Sequence, residues 1–174
     1  MGDLAAVVEA ADAAPAFFVG FSLGSEILMR YLLRDASKAR AAAFIAVGKV
    51  MLKPRRQATD LTVDALLAED MTDIHPALKK MRRIHEERGN DLKALAALLR
   101  AEVERQELVP EQISQLRLPT LFMNGEKEQV VGDVNTIASL VEGSRVEIIE
   151  GCYHDESPRS PITRRHAIEF FAGC

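Results

Sequence analysis

The stretch FFVGFSLGSEI, at residues 17–27, constrains this chain more than any other part of its sequence. An apolar run ends at Gly20, and the apolar side chains of residues 23–34 then recur at helical spacing. A short apolar run bounded by proline and glycine is typical of a buried strand. We therefore predict a strand over residues 16–19, a tight turn at Ser22 and a helix immediately after it.

The same alternation of strand and helix returns later in the chain. Further apolar runs predict strands over residues 41–47 and 119–123, and a partly alternating run predicts another over residues 145–149. Helical spacing, or alanine-rich composition in the first case, predicts helices over residues 4–13, 132–141 and 162–171. Short apolar strands that alternate with helices indicate an α/β fold, in which helices flank both faces of a parallel sheet.

The middle of the chain lacks a convincing strand and is predicted to be a helical insertion. Leucines and methionines recur there at helical spacing, and Pro76 is suited to the first turn of a helix. We therefore divide the chain into a first core part at residues 1–49, an insertion at residues 50–110 and a second core part at residues 111–174.

A hydroxyl between two glycines at a strand-to-helix turn is suited to nucleophilic chemistry. The Ser22 Oγ would project free of the sheet, and a tight turn favours neighbours without side chains, here Gly20 and Gly24. The N-terminus of the next helix would direct backbone N–H groups, that of Leu23 in particular, toward an oxyanion. The alternative is a plain strand-to-helix turn in which Ser22 caps the helix.

The segment FFVGFSLGSEILMRYLL resembles the nucleophile elbow of the α/β-hydrolase superfamily. In that superfamily an acid and then a histidine follow the serine along the chain, each after a later strand. His154 lies in VEIIEGCYHDESP, which resembles the superfamily's catalytic-histidine loop. The resemblance implies that His154 takes the Ser22 proton and returns it to the leaving group. The alternative is a histidine in a surface loop.

The resemblance also implies an acid in the segment NGEKEQVV, which follows the strand predicted at residues 119–123. Glu128 holds the expected place, three residues past Gly125. Glutamate serves in this role in some hydrolases of this fold. Glu126 is interpreted as a surface residue and Asp133 as a helix cap, although either one remains an alternative acid.

The other three histidines are poorer candidates for the base because none follows a predicted strand. His75 precedes a proline in the insertion, and His85 lies in a charged helical segment. His166 lies inside the last predicted helix. His154 is therefore the histidine that the sequence favours.

The resemblance covers nearly the whole chain but only the back part of the superfamily's fold. It implies a partial α/β-hydrolase fold without the N-terminal strands, and we expect a truncated chain that lacks the second oxyanion donor. It also implies that the insertion at residues 50–110 is a lid. A sheet edge left unpaired in this way is expected to favour self-association.

The function implied is that of a serine hydrolase with a Ser22, His154 and Glu128 triad and an acyl-enzyme intermediate. A small carboxylic ester or thioester, or a ring-cleavage product with a carbonyl, would suit such an enzyme. Two alternatives remain open. One is acyl transfer or hydrolysis of a carbon–carbon bond on the same fold. The other is a non-catalytic binding protein or an inert fragment.

The composition of this chain of 174 residues limits the kinds of partner that it is expected to bind. Its formal charge of −4, with no basic face in the sequence, argues against nucleic acid. Cys152 and Cys174 do not have the spacing of a structural zinc site, and the resemblance to serine hydrolases implies neither a metal nor an organic cofactor. We expect no membrane span, since no apolar stretch approaches ~18 residues. The two cysteines fit a reducing compartment, and we expect a cytoplasmic protein.

Overall fold

The structure is a computed structural model that describes residues 2–12, 14–52, 56–103 and 108–174. It divides into two compact units, Met1–Lys53 with Leu108–Cys174, and Pro54–Glu107. Each unit has its own hydrophobic core, and the two are described separately below.

The first unit is built on a parallel sheet of four strands in the order β1-β2-β3-β4. Each strand lies within two residues of its predicted position, because each coincides with an apolar run bounded by turn residues. The strands are β1, Ala16–Phe21; β2, Ala39–Ile45; β3, Thr120–Gly125; and β4, Arg145–Ile149. The predicted α/β class with a parallel sheet is confirmed.

The central strands β2 and β3 are buried on both faces, over residues 41–45 and 120–125, so most of their side chains there are apolar. On β2, Phe44 packs into one cluster, and its neighbours Ala43 and Ile45 pack into the other. On β3, Phe122 stacks on Phe44 with ring centroids 5.4 Å apart, whereas Leu121 belongs to the opposite face. Successive residues therefore face opposite layers of helices.

Among the described residues of the first unit, five α-helices and two short 3₁₀ helices, Lys49–Leu52 and Ser157–Arg159, accompany this sheet. The α-helices are α1, Gly2–Ala11; α2, Leu23–Arg34; α6, Pro110–Ile113; α7, Asn135–Ala138; and α8, Pro161–Ala172. Helix α2 packs in the cluster around Phe44, and α8 packs in the cluster around Ile45. Residue 13, the last of the first predicted helix, lies outside the described residues.

The helix predicted over residues 132–141 is wrong in length, since α7 has four residues. Beyond it the backbone continues in turns, in which Leu140 N–H donates to Ile137 and Val141 N–H donates to Ala138. These are bonds to the third preceding residue, as in a 3₁₀ helix. Val134, Ile137 and Val141 are buried. Their spacing therefore reflects which side chains face the core, and it does not require a continuous α-helix.

Strand β1 lies at one edge of the sheet. Among the described residues it pairs with β2 alone, so its other side offers free backbone groups. Phe17 and Val19 on this strand are 43% and 55% exposed. Phe17 stacks on Phe171 at 4.7 Å and lies under the guanidinium of Arg40.

The described residues of the second unit form three helices, α3, Arg56–Leu67; α4, Pro76–Glu87; and α5, Leu92–Val103. Val63 and Leu66 of α3 pack against Ala96 of α5 in a small buried cluster. The unit is narrower than the predicted insertion, because Met51 and Leu108 lie in the core of the first unit. Its role as a lid stays a prediction.

Arg82 on α4 holds the end of α3. Its Nη1 donates to the carbonyls of Ala65 and Ala68, at 3.1 and 2.6 Å, and its Nε donates to Glu86 at 2.8 Å. The last carbonyls of a helix lack intrahelical partners, so a guanidinium that reaches them satisfies groups that water would otherwise have to satisfy. Arg82 therefore ties α4 to α3.

We expect Arg82→Ala to lower the free energy of opening of α3 by about 1.5–3 kcal/mol, the usual range for hydrogen bonds to charged groups. Arg83→Ala is the matched control, since Arg83 is 71% exposed and 3.5 Å from Glu87. Its effect should stay within about 0.5 kcal/mol. Native-state hydrogen exchange of the α3 amides measures both, because a two-unit chain need not unfold in one step. Equal effects of the two variants would contradict this role of Arg82.

Candidate active site

The predicted site residues lie at one edge of the sheet, where the strands end. Ser22 directly follows β1, Glu128 lies three residues after β3, and His154 lies five residues after β4. Because all four strands are parallel, their carboxyl ends lie along the same edge. The sheet therefore brings together three side chains that are far apart in the sequence.

The three side chains form a continuous hydrogen-bonded row. Ser22 Oγ lies 3.0 Å from His154 Nε2, and His154 Nδ1 lies 2.7 Å from Glu128 Oε2. A carboxylate can only accept, so Nδ1 carries a proton and Nε2 is free to accept the Ser22 hydroxyl proton. This arrangement matches that of a serine, a general base and an orienting acid.

The carboxylate of Glu128 is fixed from two sides. Its Oε1 accepts from the backbone N–H groups of Val130 and Val131, at 2.6 and 3.1 Å. The Glu128 side chain is 4% exposed, whereas the His154 side chain is 19% exposed. Glutamate therefore reaches the imidazole from a loop that holds its other oxygen, while the imidazole stays accessible from one side.

The turn at Ser22 is strained and is held by the neighbouring strand. Ser22 has φ +49°, a region that L-residues rarely adopt and that costs about 1–3 kcal/mol. Its N–H donates to the carbonyl of Ile45 at 2.9 Å, and the buried Ser25 Oγ donates to the same carbonyl at 2.9 Å. Two donors on one β2 carbonyl thus secure the turn and the first turn of α2.

The start of α2, directly after Ser22, has a free backbone donor. The carbonyl of Ser22 accepts from the N–H groups of Ser25 and Glu26, as at an ordinary helix start. The N–H of Leu23 has no acceptor among the described residues. An unpaired N–H at the positive end of a helix is suited to an anion.

Comparison with known proteins identifies the fold that carries this site. No protein-family model and no curated protein matches the sequence. A solved hydrolase from Pseudomonas aeruginosa PA01 matches the structure with a TM-score of 0.74 at 19% identity, covering 99% of this chain and 70% of that chain. Carboxylesterase CesB (YbfK) from Bacillus subtilis matches with a TM-score of 0.61 at 19% identity, covering 97% of this chain and 64% of its own. The chain has the α/β-hydrolase fold.

A third solved structure with this fold is described as an N-acyl homoserine lactone degrading enzyme. It matches with a TM-score of 0.69 at 20% identity, over 98% of this chain and 72% of that chain. The predicted resemblance to the α/β-hydrolase fold is confirmed. The shares of the compared chains are consistent with a portion of that fold.

The alternative acids of this α/β-hydrolase fold are engaged elsewhere. Asp133 accepts from the backbone and side chain of Asn135, and these hydrogen bonds hold the pKa of Asp133 below its usual range. Glu126 accepts from the N–H of Gly151 at 2.9 Å. Glu128 is the carboxylate that contacts His154 among the described residues.

The other histidines do not contact Ser22 in the described part of the chain. His75 accepts from the N–H of Ala77 at the start of α4, and His85 contacts Asn90 at the end of that helix. His166 on α8 lies 3.8 Å from Glu147 on β4. Each has a local structural partner.

Two residues at the site are absent from the sequence predictions. Phe21, the last residue of β1, lies against the imidazole of His154 with ring centroids 5.3 Å apart. Asn124 is buried, and its side chain both accepts from and donates to the backbone of Val47. An aromatic residue directly before the turn was a visible signal for Phe21, whereas an asparagine near a strand end signals only a turn.

The structure adds two findings about ligands and membranes. The described residues contain no cluster of three or more metal-ligating side chains. No helix among them is long and apolar enough to cross a membrane.

The two glycines around Ser22 differ in the space available to a side chain. A Cβ on Gly20 would lie 2.6 Å from the Ser25 Cα, which is backbone and cannot move aside. A Cβ on Gly24 would meet nothing within 4 Å. The expectation that both neighbours must lack side chains is therefore wrong for Gly24 on steric grounds, since that residue begins α2 with open space around it.

We expect Gly20→Ala to lower the melting temperature, because crowding of this kind costs about 1–3 kcal/mol. Gly24→Ala is the matched substitution within the same turn, and we expect it to raise stability by up to about 1 kcal/mol, since alanine favours a helix over glycine. Differential scanning calorimetry of the two variants and the unmodified protein measures both. A stable Gly20→Ala variant would show that the turn does not need this close approach.

Proposed function

We propose that this protein is a serine hydrolase that acts on an acyl substrate through a covalent intermediate. The observation that supports this most is the row Ser22, His154 and Glu128, with its distances of 3.0 and 2.7 Å. Each member occupies the place in the α/β-hydrolase fold that such chemistry requires, after a separate strand at one edge.

In the first half of the proposed reaction, Ser22 Oγ attacks the acyl carbonyl while its proton passes to His154 Nε2. The resulting imidazolium is stabilised by Glu128 across the 2.7 Å contact. The N–H of Leu23 donates to the oxyanion that forms on the former carbonyl oxygen. When that intermediate collapses, the Nε2 proton moves to the leaving group and an ester to Ser22 remains.

In the second half, water replaces the leaving group. His154 Nε2 removes a proton from the water as its oxygen attacks the acyl carbon, and the proton returns to Ser22 Oγ when the acid departs. The unmodified serine and neutral imidazole are restored. These steps use the three side chains, the backbone N–H of Leu23 and one water molecule, and need no metal or organic cofactor.

The substrate class that we propose is a small carboxylic ester, a thioester or a related acyl compound, including a ring-cleavage product with a carbonyl. The names of two compared structures, a carboxylesterase and an N-acyl homoserine lactone degrading enzyme, agree with ester chemistry on this fold. The same three groups also serve acyl transfer and hydrolysis of carbon–carbon bonds. Turnover of p-nitrophenyl esters of graded length, with and without an alcohol acceptor, distinguishes hydrolysis from transfer.

We expect Ser22→Ala and His154→Ala to lower kcat by roughly 10⁶-fold, and Glu128→Ala by roughly 10⁴-fold, as in comparable triads. Glu128→Ala acts less because the acid orients the imidazole and stabilises its charge without bonding to substrate. Steady-state assays with a short-chain p-nitrophenyl ester measure kcat for each variant. Asp133→Ala is the control, since its carboxylate caps a turn, and it should retain kcat within about twofold.

A fluorophosphonate probe separates an enzyme from a binding protein of the same fold. We expect covalent labelling of the unmodified protein that Ser22→Ala abolishes, because the probe reacts with an activated serine. Absence of labelling in a folded sample would refute the hydrolase proposal and favour the binding protein. Circular dichroism of the same samples establishes that each variant is folded.

We propose in addition that the chain self-associates through the free edge of β1. This edge has unpaired backbone groups, and Phe17 and Val19 on it are largely exposed, features that invite pairing with another strand. Charged residues on an edge strand oppose such pairing.

We therefore expect sedimentation velocity to show concentration-dependent association that Val19→Lys weakens. Ile168→Lys is the control, because Ile168 is 61% exposed on α8 rather than on the edge strand, and the substitution introduces the same charge. A monomer at all concentrations, or equal weakening by both substitutions, argues against this edge as the contact.

A further inference from the structure

The loop after β3 and the loop after β4 are joined through their backbones. Glu126 N–H donates to Ile149 at 2.9 Å, and Lys127 N–H donates to Cys152 at 3.0 Å. The contact is so close that a Cβ on Gly125 would lie 2.2 Å from the Cys152 carbonyl oxygen. The loops that carry Glu128 and His154 therefore move together rather than independently.

The side chain of Glu126 adds a charged contact between the same two loops. Its Oε2 accepts from the N–H of Gly151 at 2.9 Å. Gly151 has φ +71° and forms the turn by which the chain leaves β4. A hydrogen bond from a backbone amide to a carboxylate is stronger than one between neutral groups, so this contact restrains the start of the histidine loop.

The rest of the histidine loop is restrained in a similar way. The N–H of Tyr153 donates to Glu156 Oε2 at 2.9 Å, within the same loop. The ammonium of Lys127 lies 5.3 Å from the Tyr153 ring centroid, in a cation–π contact across the two loops. Glu126 thus restrains the start of the histidine loop at Gly151, and the hydrogen bond between Tyr153 and Glu156 restrains the part that follows.

The two glutamates of the acid loop have different partners. Glu128 contacts the imidazole of His154, whereas Glu126 contacts a backbone amide three residues earlier and has no contact with His154 among the described residues. We propose that Glu126 is a positioning residue that holds the histidine loop against the acid loop and so keeps His154 between Ser22 and Glu128. This proposal rests on the proposed hydrolase function.

The need for such a restraint follows from the geometry of the row. The imidazole must meet Ser22 and Glu128 at once, at 3.0 and 2.7 Å, from a loop five residues beyond its strand. A displacement of about 1 Å in a reacting group lowers the rate by up to about 10²-fold. Because Glu126 acts through an oxygen acceptor, a neutral amide oxygen at the same place can replace it.

The experiment compares Glu126→Ala with Glu126→Gln in the full chain. We expect Glu126→Ala to lower kcat about 10-fold with KM within about twofold, since the imidazole is displaced while substrate contacts remain. Glu126→Gln should recover most of kcat, because its amide oxygen accepts the Gly151 N–H. Glu150→Ala is the matched control, as Glu150 adjoins Gly151 but has no side-chain hydrogen bond among the described residues, and it should keep the original kcat.

A spectroscopic readout tests the same proposal without turnover. We expect the Nδ1 proton of His154, which is hydrogen-bonded to the Glu128 carboxylate, to give a downfield proton resonance in the unmodified protein. We expect Glu126→Ala to broaden or shift this resonance, and Glu126→Gln and Glu150→Ala to leave it in place. Glu128→Gln should remove it, which assigns the signal.

The outcomes separate this proposal from the hydrolase proposal. If Glu126→Ala leaves both kcat and the His154 resonance unchanged, Glu126 does not position the histidine. If Glu126→Gln is as impaired as Glu126→Ala, the negative charge rather than the hydrogen-bond acceptor is required, and the proposal is wrong. If the unmodified protein neither turns over esters nor reacts with fluorophosphonate, the hydrolase proposal fails, while the resonance still decides whether Glu126 holds the imidazole.

Discussion

The parallel pairing of the four strands is the constraint on which the candidate site depends. Ser22 and His154 lie 3.0 Å apart at their polar atoms although 132 residues separate them. They meet because parallel strands end at one edge, and the register that brings them together is set by burial on both faces of the sheet. A slip of β2 by one residue would move Phe44 out of its cluster and place Ala43 there instead. The packing of the hydrophobic core therefore sets the distance between Ser22 and His154, although neither residue belongs to that core.

Close backbone contacts, rather than bulky side chains, hold the turn at Ser22 at the carboxyl ends of the strands. Gly20 allows Ser25 of α2 to approach β1, and the carbonyl of Ile45 accepts from two groups of the turn at Ser22. These contacts offset the strain of a serine at φ +49°. Such a turn presents its hydroxyl in one orientation, so little rearrangement is needed to reach His154. The same logic applies to Glu128, whose second oxygen is already occupied by backbone amides.

The sequence predictions were right where a residue pattern has a single local cause. Apolar runs between turn residues located β1, β2 and β3, and a partly alternating run located β4, because a strand carries apolar side chains on each face that it buries. The predictions were wrong where the same residue pattern is compatible with two different local structures. The spacing of Val134, Ile137 and Val141 suggested a long helix, although those side chains are buried from a short helix followed by turns. Gly24 was grouped with Gly20 by symmetry of the motif, although only Gly20 is crowded by the next helix.

The amino-acid sequence by itself determined the strands, the sharp turn that presents Ser22 and the position of His154 after a strand, because these follow from hydrophobic pattern and spacing along the chain. It left open which of three nearby carboxylates would meet the imidazole. Only the tertiary structure decided that Glu128 contacts His154 while Glu126 turns to Gly151. The physical reason is that a side chain's partner in a loop depends on how that loop packs against another, and no local pattern records the distance between two loops that are remote in the chain.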